Sequence, residues 1–147
     1  MAQNACGVEI SQGSILFWKD PADDVYKQLG NITEYPQFAF THGTASCDDD
    51  SAAGWATRYK NGKRDGGTAT IGYNWVPGDL VQEEMFGVFD SINESAFRMQ
   101  WSDAGATKLD FAANVTGYNA STPPPNSDDA KNTRQLSVEL TGQPVWA

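Results

Sequence analysis

The sequence predicts a mainly β domain of the α+β class, an antiparallel β-sandwich or barrel-like sheet with one flanking helix. Three observations carry that expectation. Thr68 to Trp75 alternates apolar and polar side chains with a period of two, Asp79 to Ile92 switches to a helical period, and the alternation returns in three runs after Asn93. With 147 residues, 39% of them hydrophobic and 12% aromatic, the chain has the size and apolar content of one domain that folds by packing. Residues 1–147 therefore read as a single domain, with an N-terminal arm over 1–12, a long loop over 42–67 and no appended C-terminal domain.

Ser14 to Trp18 is a short apolar run stopped by Lys19-Asp20-Pro21, which reads as a strand and a turn. Tyr26 to Tyr35 and Gln37 to Thr41 hold enough β-branched and aromatic residues for two weaker strands, interrupted at Pro36, which has no N–H for a ladder. His42 to Gly67 is Gly, Ser, Asp, Lys and Arg with scattered aromatics, so neither period survives and a long loop is expected. In the next strand Ala69, Ile71, Tyr73 and Trp75 share one face, with Thr68, Thr70, Gly72 and Asn74 on the other. Val76-Pro77-Gly78 ends it. Asp79 is placed to cap a helix, with Gln82 three residues on as the partner of a capping box. Val81, Met85, Val88, Phe89 and Ile92 then form one apolar stripe, leaving Gln82, Glu83 and Asp90 toward water.

Phe97, Met99 and Trp101 alternate with Arg98, Gln100 and Ser102 up to the turn Asp103-Ala104-Gly105. Thr107 to Asn119 answers with Leu109, Phe111, Ala113 and Val115 on one face, making a hairpin over which the helix can pack. Asn119 to Asp129, with three consecutive prolines, is a stiff polar loop. The closing strand sets Leu136, Val138 and Leu140 against Gln135, Ser137, Glu139 and Thr141.

Chemistry of an enzymatic kind finds no support. The 10 basic against 19 acidic residues give a net charge of -9, which argues against a surface that grips phosphates. No window approaches the ~20 apolar residues of a membrane span, and the first residues lack the basic and apolar regions of a secretion signal. The single histidine, His42, has no nucleophile or carboxylate partner at a motif spacing. Asp48-Asp49-Asp50 fails the calcium-loop pattern, since Ala52, Ala53 and Tyr59 stand where a ligand, a glycine and a glutamate are needed. Neighbouring acids such as Glu83 and Glu84 do not face one another as a hydrolytic pair would. Cys6 and Cys47 match neither a zinc nor a redox motif, and read either as free thiols or as a disulfide in an oxidising compartment. No enzyme, cofactor or metal site is expected. Trp55 and Trp146 lie off the expected core faces and are candidates for subunit contacts or for local packing under the loop.

The order of elements resembles the major tail tube protein of long-tailed, lambda-like bacteriophages from about Gly13 onward. The segments that carry the resemblance are Thr68 to Asp79, with its Trp-x-Pro-Gly-Asp corner, and Leu136 to Val145, which reads Leu-Ser-Val-Glu-Leu-Thr-Gly-Gln-Pro-Val. The helix to Ile92 and the runs Phe97 to Trp101 and Thr107 to Tyr118 agree in order and spacing. Related folds make the tubes of contractile tails and of type VI secretion. The resemblance implies a structural virion protein without cofactor that forms hexameric rings stacked into a hollow tube, assembled in the host cytoplasm. Its implied partners are further copies of itself, a tail tip or initiator complex, a tape-measure protein and a tail terminator, with DNA passing through without specific binding.

On that reading the polar alternates of the long strands, Asp110, Asn114, Thr116, Gln135, Ser137, Glu139 and Thr141, are lumen candidates. The same residues facing bulk solvent, with another sheet lining the tube, is the alternative, because alternation separates two faces without naming them. Cys47, Asp48, Asp49, Asp50, Trp55, Tyr59 and Trp146 are subunit-interface candidates. The rival from another class is a carbohydrate-binding β-sandwich module whose exposed aromatics would stack on sugars.

Overall fold

The computed structural model describes residues 13–46, 54–55, 58–126 and 131–147. Its strands are β1 (Ile15–Asp20), β2 (Val25–Leu29), β3 (Ile32–Glu34), β4 (Thr41–Ser46), β5 (Arg58–Asp65), β6 (Thr68–Asn74), β7 (Ser95–Gln100), β8 (Lys108–Ser121) and β9 (Thr133–Trp146), with one helix, α1 (Leu80–Asp90). Seven strands form one antiparallel sheet in the order β2-β1-β7-β8-β9-β6-β3. Its outermost strands, β2 and β3, are joined by Gly30-Asn31 alone. Three Cα–Cα steps of ~3.8 Å bring Leu29 and Ile32 within about 11 Å, so the sheet must curl until one end of β2 lies near one end of β3. The fold is thus a strongly curled, barrel-like single sheet, called the barrel below.

Curvature concentrates in β8 and β9, each 14 residues long, whose ladder shifts register between Asp110 and Ala112 and again between Val115 and Gly117. Such bulges bend a strand and increase its twist. The core is the inner face of this curl. Leu16, Trp18, Phe97, Met99, Leu109, Phe111, Ala113, Leu136, Val138, Ile71 and Tyr73 are buried, each an alternate residue of its strand. Burial of each large one contributes on the order of 1.5–3 kcal/mol. Phe97 stacks on Phe111 at 5.6 Å, and Phe38 meets Phe111 edge-on at 5.0 Å.

The helix begins where the sequence places it. Asp79 is the N-cap, its carboxylate accepting from the backbone N–H of Val81 and Gln82 at 3.0 and 3.2 Å. Met85 and Val88 are buried and Val81 and Phe89 pack partly against the core, but Ile92 lies beyond the helix and is 98% exposed. Gln82, expected toward water, is 1% exposed. Its amide accepts from Val76 N–H at 2.8 Å and donates to the carbonyls of Asn74 and Gly30 at 3.0 and 3.3 Å. It therefore ties the end of β6 and the corner before α1 to the β2–β3 link, where the barrel closes, instead of completing a capping box.

Three other expectations change. Within His42 to Gly67 the chain is not loop throughout, because β4 and β5 pair antiparallel as a separate two-stranded sheet. Both of its faces are largely exposed, so no apolar period marks it in the sequence. Of the strand expected over Gln37 to Thr41 only Thr41 is extended, as the start of β4: residues 35–40 are irregular, and Phe38 packs against the core instead of continuing an alternation. Tyr26 to Tyr35 is split by Asn31, whose positive φ of 59° turns β2 into β3. Gly67 returns the hairpin to the barrel at a φ of 74°, with its O accepting from Leu140 N–H at 3.0 Å.

Candidate functional site

Alternation along β8, β9 and β6 puts all seven lumen candidates on the outer face of the barrel, because their neighbours Leu109, Ala113, Val115, Leu136, Val138 and Leu140 are buried inside it. Register then decides which are adjacent. Asn114 lies opposite Glu139, which lies opposite Thr68 on its other side. Ser137 sits between Gly117 and Thr70, and Gln135 between Asn119 and Gly72. Thr116, at the second bulge, donates its hydroxyl to the Ser137 carbonyl at 3.3 Å. Gln135 donates from Nε2 to Glu34 at 3.3 Å. Asn114, Thr116, Gln135, Ser137 and Glu139 thus form one exposed polar patch.

Asp110 and Thr141 share the face but are half-buried, nearer the β7 side. Asp110 is not a free acid. The Arg98 guanidinium across the β7–β8 hairpin donates to both carboxylate oxygens, Nε at 2.5 Å and Nη2 at 2.9 Å, and lies 4.1 Å above the ring of Tyr26. Those hydrogen bonds hold the Asp110 carboxyl below its ordinary value against the opposing effect of burial. The contribution is therefore present above the unfolded carboxylate value of ~3.9 and is lost as pH falls through the lower folded value. Arg98→Met should cost about 1–2 kcal/mol at pH 7, since each partner is only a quarter exposed. In urea melts the gap from the parent chain should narrow from pH 6 to pH 3; a gap that widens on acidification would contradict this pairing.

The interface candidates are dispersed. Cys47, Asp48, Asp49 and Asp50 lie outside the described residues, as does Cys6. Trp55 is 84% exposed, and Tyr59, on β5, is also exposed. Trp146 stacks on Trp101 with centroids 5.7 Å apart and still leaves 62% of its surface in solvent. A cleft of about 950 Å³ separates the base of the β4–β5 hairpin from the end of β9, with Phe40, Arg64, Gln143 and Trp146 among its walls. His42 is half-buried and its Nδ1 meets the neighbouring Gly43 carbonyl at 3.0 Å.

Sequence reasoning missed the outer side of α1. Leu80 and Phe86, with Ile92 just after the helix, are exposed, and Phe86 touches Tyr118 of β8 edge-on at 5.3 Å. The signal was present in the helix, whose apolar residues cover more than the stripe that faces the core. Among the described residues there is no cluster of three or more side chains suited to a metal, and no helix is long and apolar enough to cross a membrane.

The family model described as lambda phage tail tube protein matches residues 10–147. No curated protein gives a significant match. Among solved structures, the chain is similar to a subunit of the anti-feeding prophage baseplate, with 7% identity, 100% of this chain and 97% of that one covered and a TM-score of 0.72. A chain of the native gene transfer agent virion shares 14% identity over 99% of both chains, with a TM-score of 0.67. The SPP1 tail tube follows at 11% identity, covering 95% of this chain and 78% of that one, with a TM-score of 0.61. At these identities the structural likeness speaks for the fold alone.

Proposed function

The chain belongs to the lambda phage tail tube protein family and is a tail tube subunit, and from that premise we propose that its copies form hexameric rings stacked into a hollow tube whose wall is the outer polar face of the barrel. The protein is structural, without catalytic activity, and works as a virion part assembled in the host cytoplasm. The observation that carries the reading is the patch of Asn114, Thr116, Gln135, Ser137 and Glu139 beside Thr68 and Thr70, which holds no lysine or arginine. Duplex DNA carries one negative charge per ~1.7 Å, so a neutral-to-acidic wall avoids the multiple phosphate contacts that would hold it in place. At a screening length of ~8 Å only charges near the wall act on the duplex. Glu139, with Glu34 beside Gln135, is then the charge that matters, since the charge of Asp110 is offset by Arg98.

Sheets of neighbouring subunits set side by side would also cover the short edges β2 and β3. Further partners on this reading are a tip or initiator complex, a tape-measure protein inside the growing tube and a terminator at its end. Glu139→Lys changes the wall by two charges per subunit, repeated around every ring. Tubes should still form and DNA release from assembled particles should slow by tenfold or more at low salt, measured by dye uptake on ejection. Release at the parental rate would remove this face from the lumen, and a reconstruction of the tube by electron microscopy would show directly which face lines it.

A further inference from the structure

A stiff segment and an aromatic cleft lie at opposite ends of the β8–β9 ribbon. At one end Ser121 pairs with Thr133, and the chain just beyond Ser121 reads Thr122-Pro123-Pro124-Pro125-Asn126. A proline ring fixes φ at about −65° and confines the residue before it to extended backbone. Thr122, Pro123 and Pro124 each precede a proline, so the segment is held near polyproline II before any partner arrives. Pro124 and Pro125 are exposed, and Pro123 is half-buried.

At the other end, where Leu109 pairs with Trp146, β9 leaves its partner. Asp110 lies opposite Val145 and Ala112 opposite Thr141, so Gly142, Gln143 and Pro144 bulge out across from Phe111 alone. Gly142 turns there at a φ of 73°, and Pro144 has no N–H to return to the ladder. This bulge is one wall of the cleft of about 950 Å³, and Phe40, Arg64 and Trp146 belong to the others. Both rings are held by a neighbour, Trp146 by Trp101 at 5.7 Å and Phe40 by Phe38 at 6.0 Å, yet they leave 62% and 46% of their surface in solvent. An aromatic groove with N–H donors is the surface that receives polyproline II, whose rings fill the groove while its carbonyls, unpaired within the segment, accept from the walls. Arg64, Gln143 and the Trp146 indole carry such donors. Charge agrees: Lys63 and Arg64 line the cleft with a single acid, Asp65, while Asp128 and Asp129 follow the prolines in the sequence.

Resting on the self-association of the tube reading above, we propose that Thr122 to Pro125 of one copy docks in the cleft between Phe40 and Trp146 of a neighbouring copy. Topology sets the two apart within one chain: from Thr133, beside the loop, to Thr141, at the cleft, β9 runs eight steps of ~3.3 Å, about 26 Å of strand. A loop at one end and its receptor at the other make the contact head-to-tail, so each added copy presents a fresh cleft. The prolines lose little freedom on docking because they are already extended, which favours binding by a short segment.

The test uses the full chain under conditions in which the parent makes tubes, with the concentration needed for tubes read by light scattering and electron microscopy. P124A/P125A and W146A should each raise that concentration about fivefold or more while keeping the circular dichroism spectrum of the parent. The chain carrying all three changes should need no more than about twice the concentration of the weaker of the two, because both remove one and the same contact. Should W146A fail to fold, F40A replaces it. A photo-reactive benzoylphenylalanine in place of Asn126 should, on illumination of tubes, join a peptide holding Phe40 or residues 143–147, and in tubes mixed from light and isotope-labelled copies the joined peptides should come from different copies. Tubes at parental concentration from either variant, effects that multiply in the combined chain, or cross-links that fall elsewhere or within one copy would overturn the docking. A parent that makes no tube even when seeded with tail tips would instead overturn the tube reading on which it rests.

Discussion

Removing residues 43–64 and closing the gap with an Asn-Gly turn should leave a chain that folds as well as the parent and forms no tubes at any concentration. Among the described residues of the removed segment none belongs to the hydrophobic core, and β4 and β5 pair only with one another. The anchor on the barrel side stays, since Gly67 still accepts from Leu140 N–H and its own N–H still donates to Asp65 at 2.9 Å. What is lost is an exposed two-stranded arm bearing Tyr59 and four cations, surface that a solitary subunit has no use for. Circular dichroism and urea melts should match the parent within about 0.5 kcal/mol, as for surface changes in general. Electron microscopy should show single subunits or isolated rings. Normal tubes from the shortened chain would dismiss the hairpin as a contact between rings.

Gln82→Leu should be the most damaging single substitution outside the apolar core, lowering stability by about 3 kcal/mol. Leucine fills nearly the same volume, so the loss comes from three backbone groups, Val76 N–H and the carbonyls of Asn74 and Gly30, left without the amide that now serves them. Each buried group without a partner costs about 1–3 kcal/mol, with part regained where water reaches. For a chain of this length, 3 kcal/mol corresponds to a fall of very roughly 6–12 °C in Tm. Glu83→Leu, one position on and exposed, serves as the control and should change stability by less than about 0.5 kcal/mol. A loss under 1 kcal/mol for Gln82→Leu would mean that solvent enters the seam and satisfies those groups.

The contrast between these two sites shows where the sequence was informative. Strands buried on one face announce themselves: Ala69, Ile71 and Tyr73, or Leu136, Val138 and Leu140, alternate because water lies on one side and the core on the other. The helix start was legible because a cap is a local interaction, Asp79 reaching N–H groups two and three residues away. The β4–β5 hairpin was not legible, because a ribbon exposed on both faces imposes no period on its side chains. Gln82 departs from its local pattern for a related reason. A glutamine at a helix start faces water by default, and only the arrival of Gly30, 52 residues earlier in the chain, converts it into a buried tie.

By itself, then, the sequence determined the class of the domain, the sequence of strands and helix, the inner and outer face of each long strand, and the family, since these follow from local periods and from motifs such as the Trp-x-Pro-Gly-Asp corner. Tertiary structure alone decided that seven strands curl into one barrel-like sheet, that Asp110 is offset by Arg98 while Glu139 stands free, and that the β4–β5 hairpin and the helix follow opposite ends of β6. Each of those depends on strand order and register, which bring together residues distant in the chain. A one-dimensional pattern records which way a side chain faces, and only the closed sheet determines what it faces.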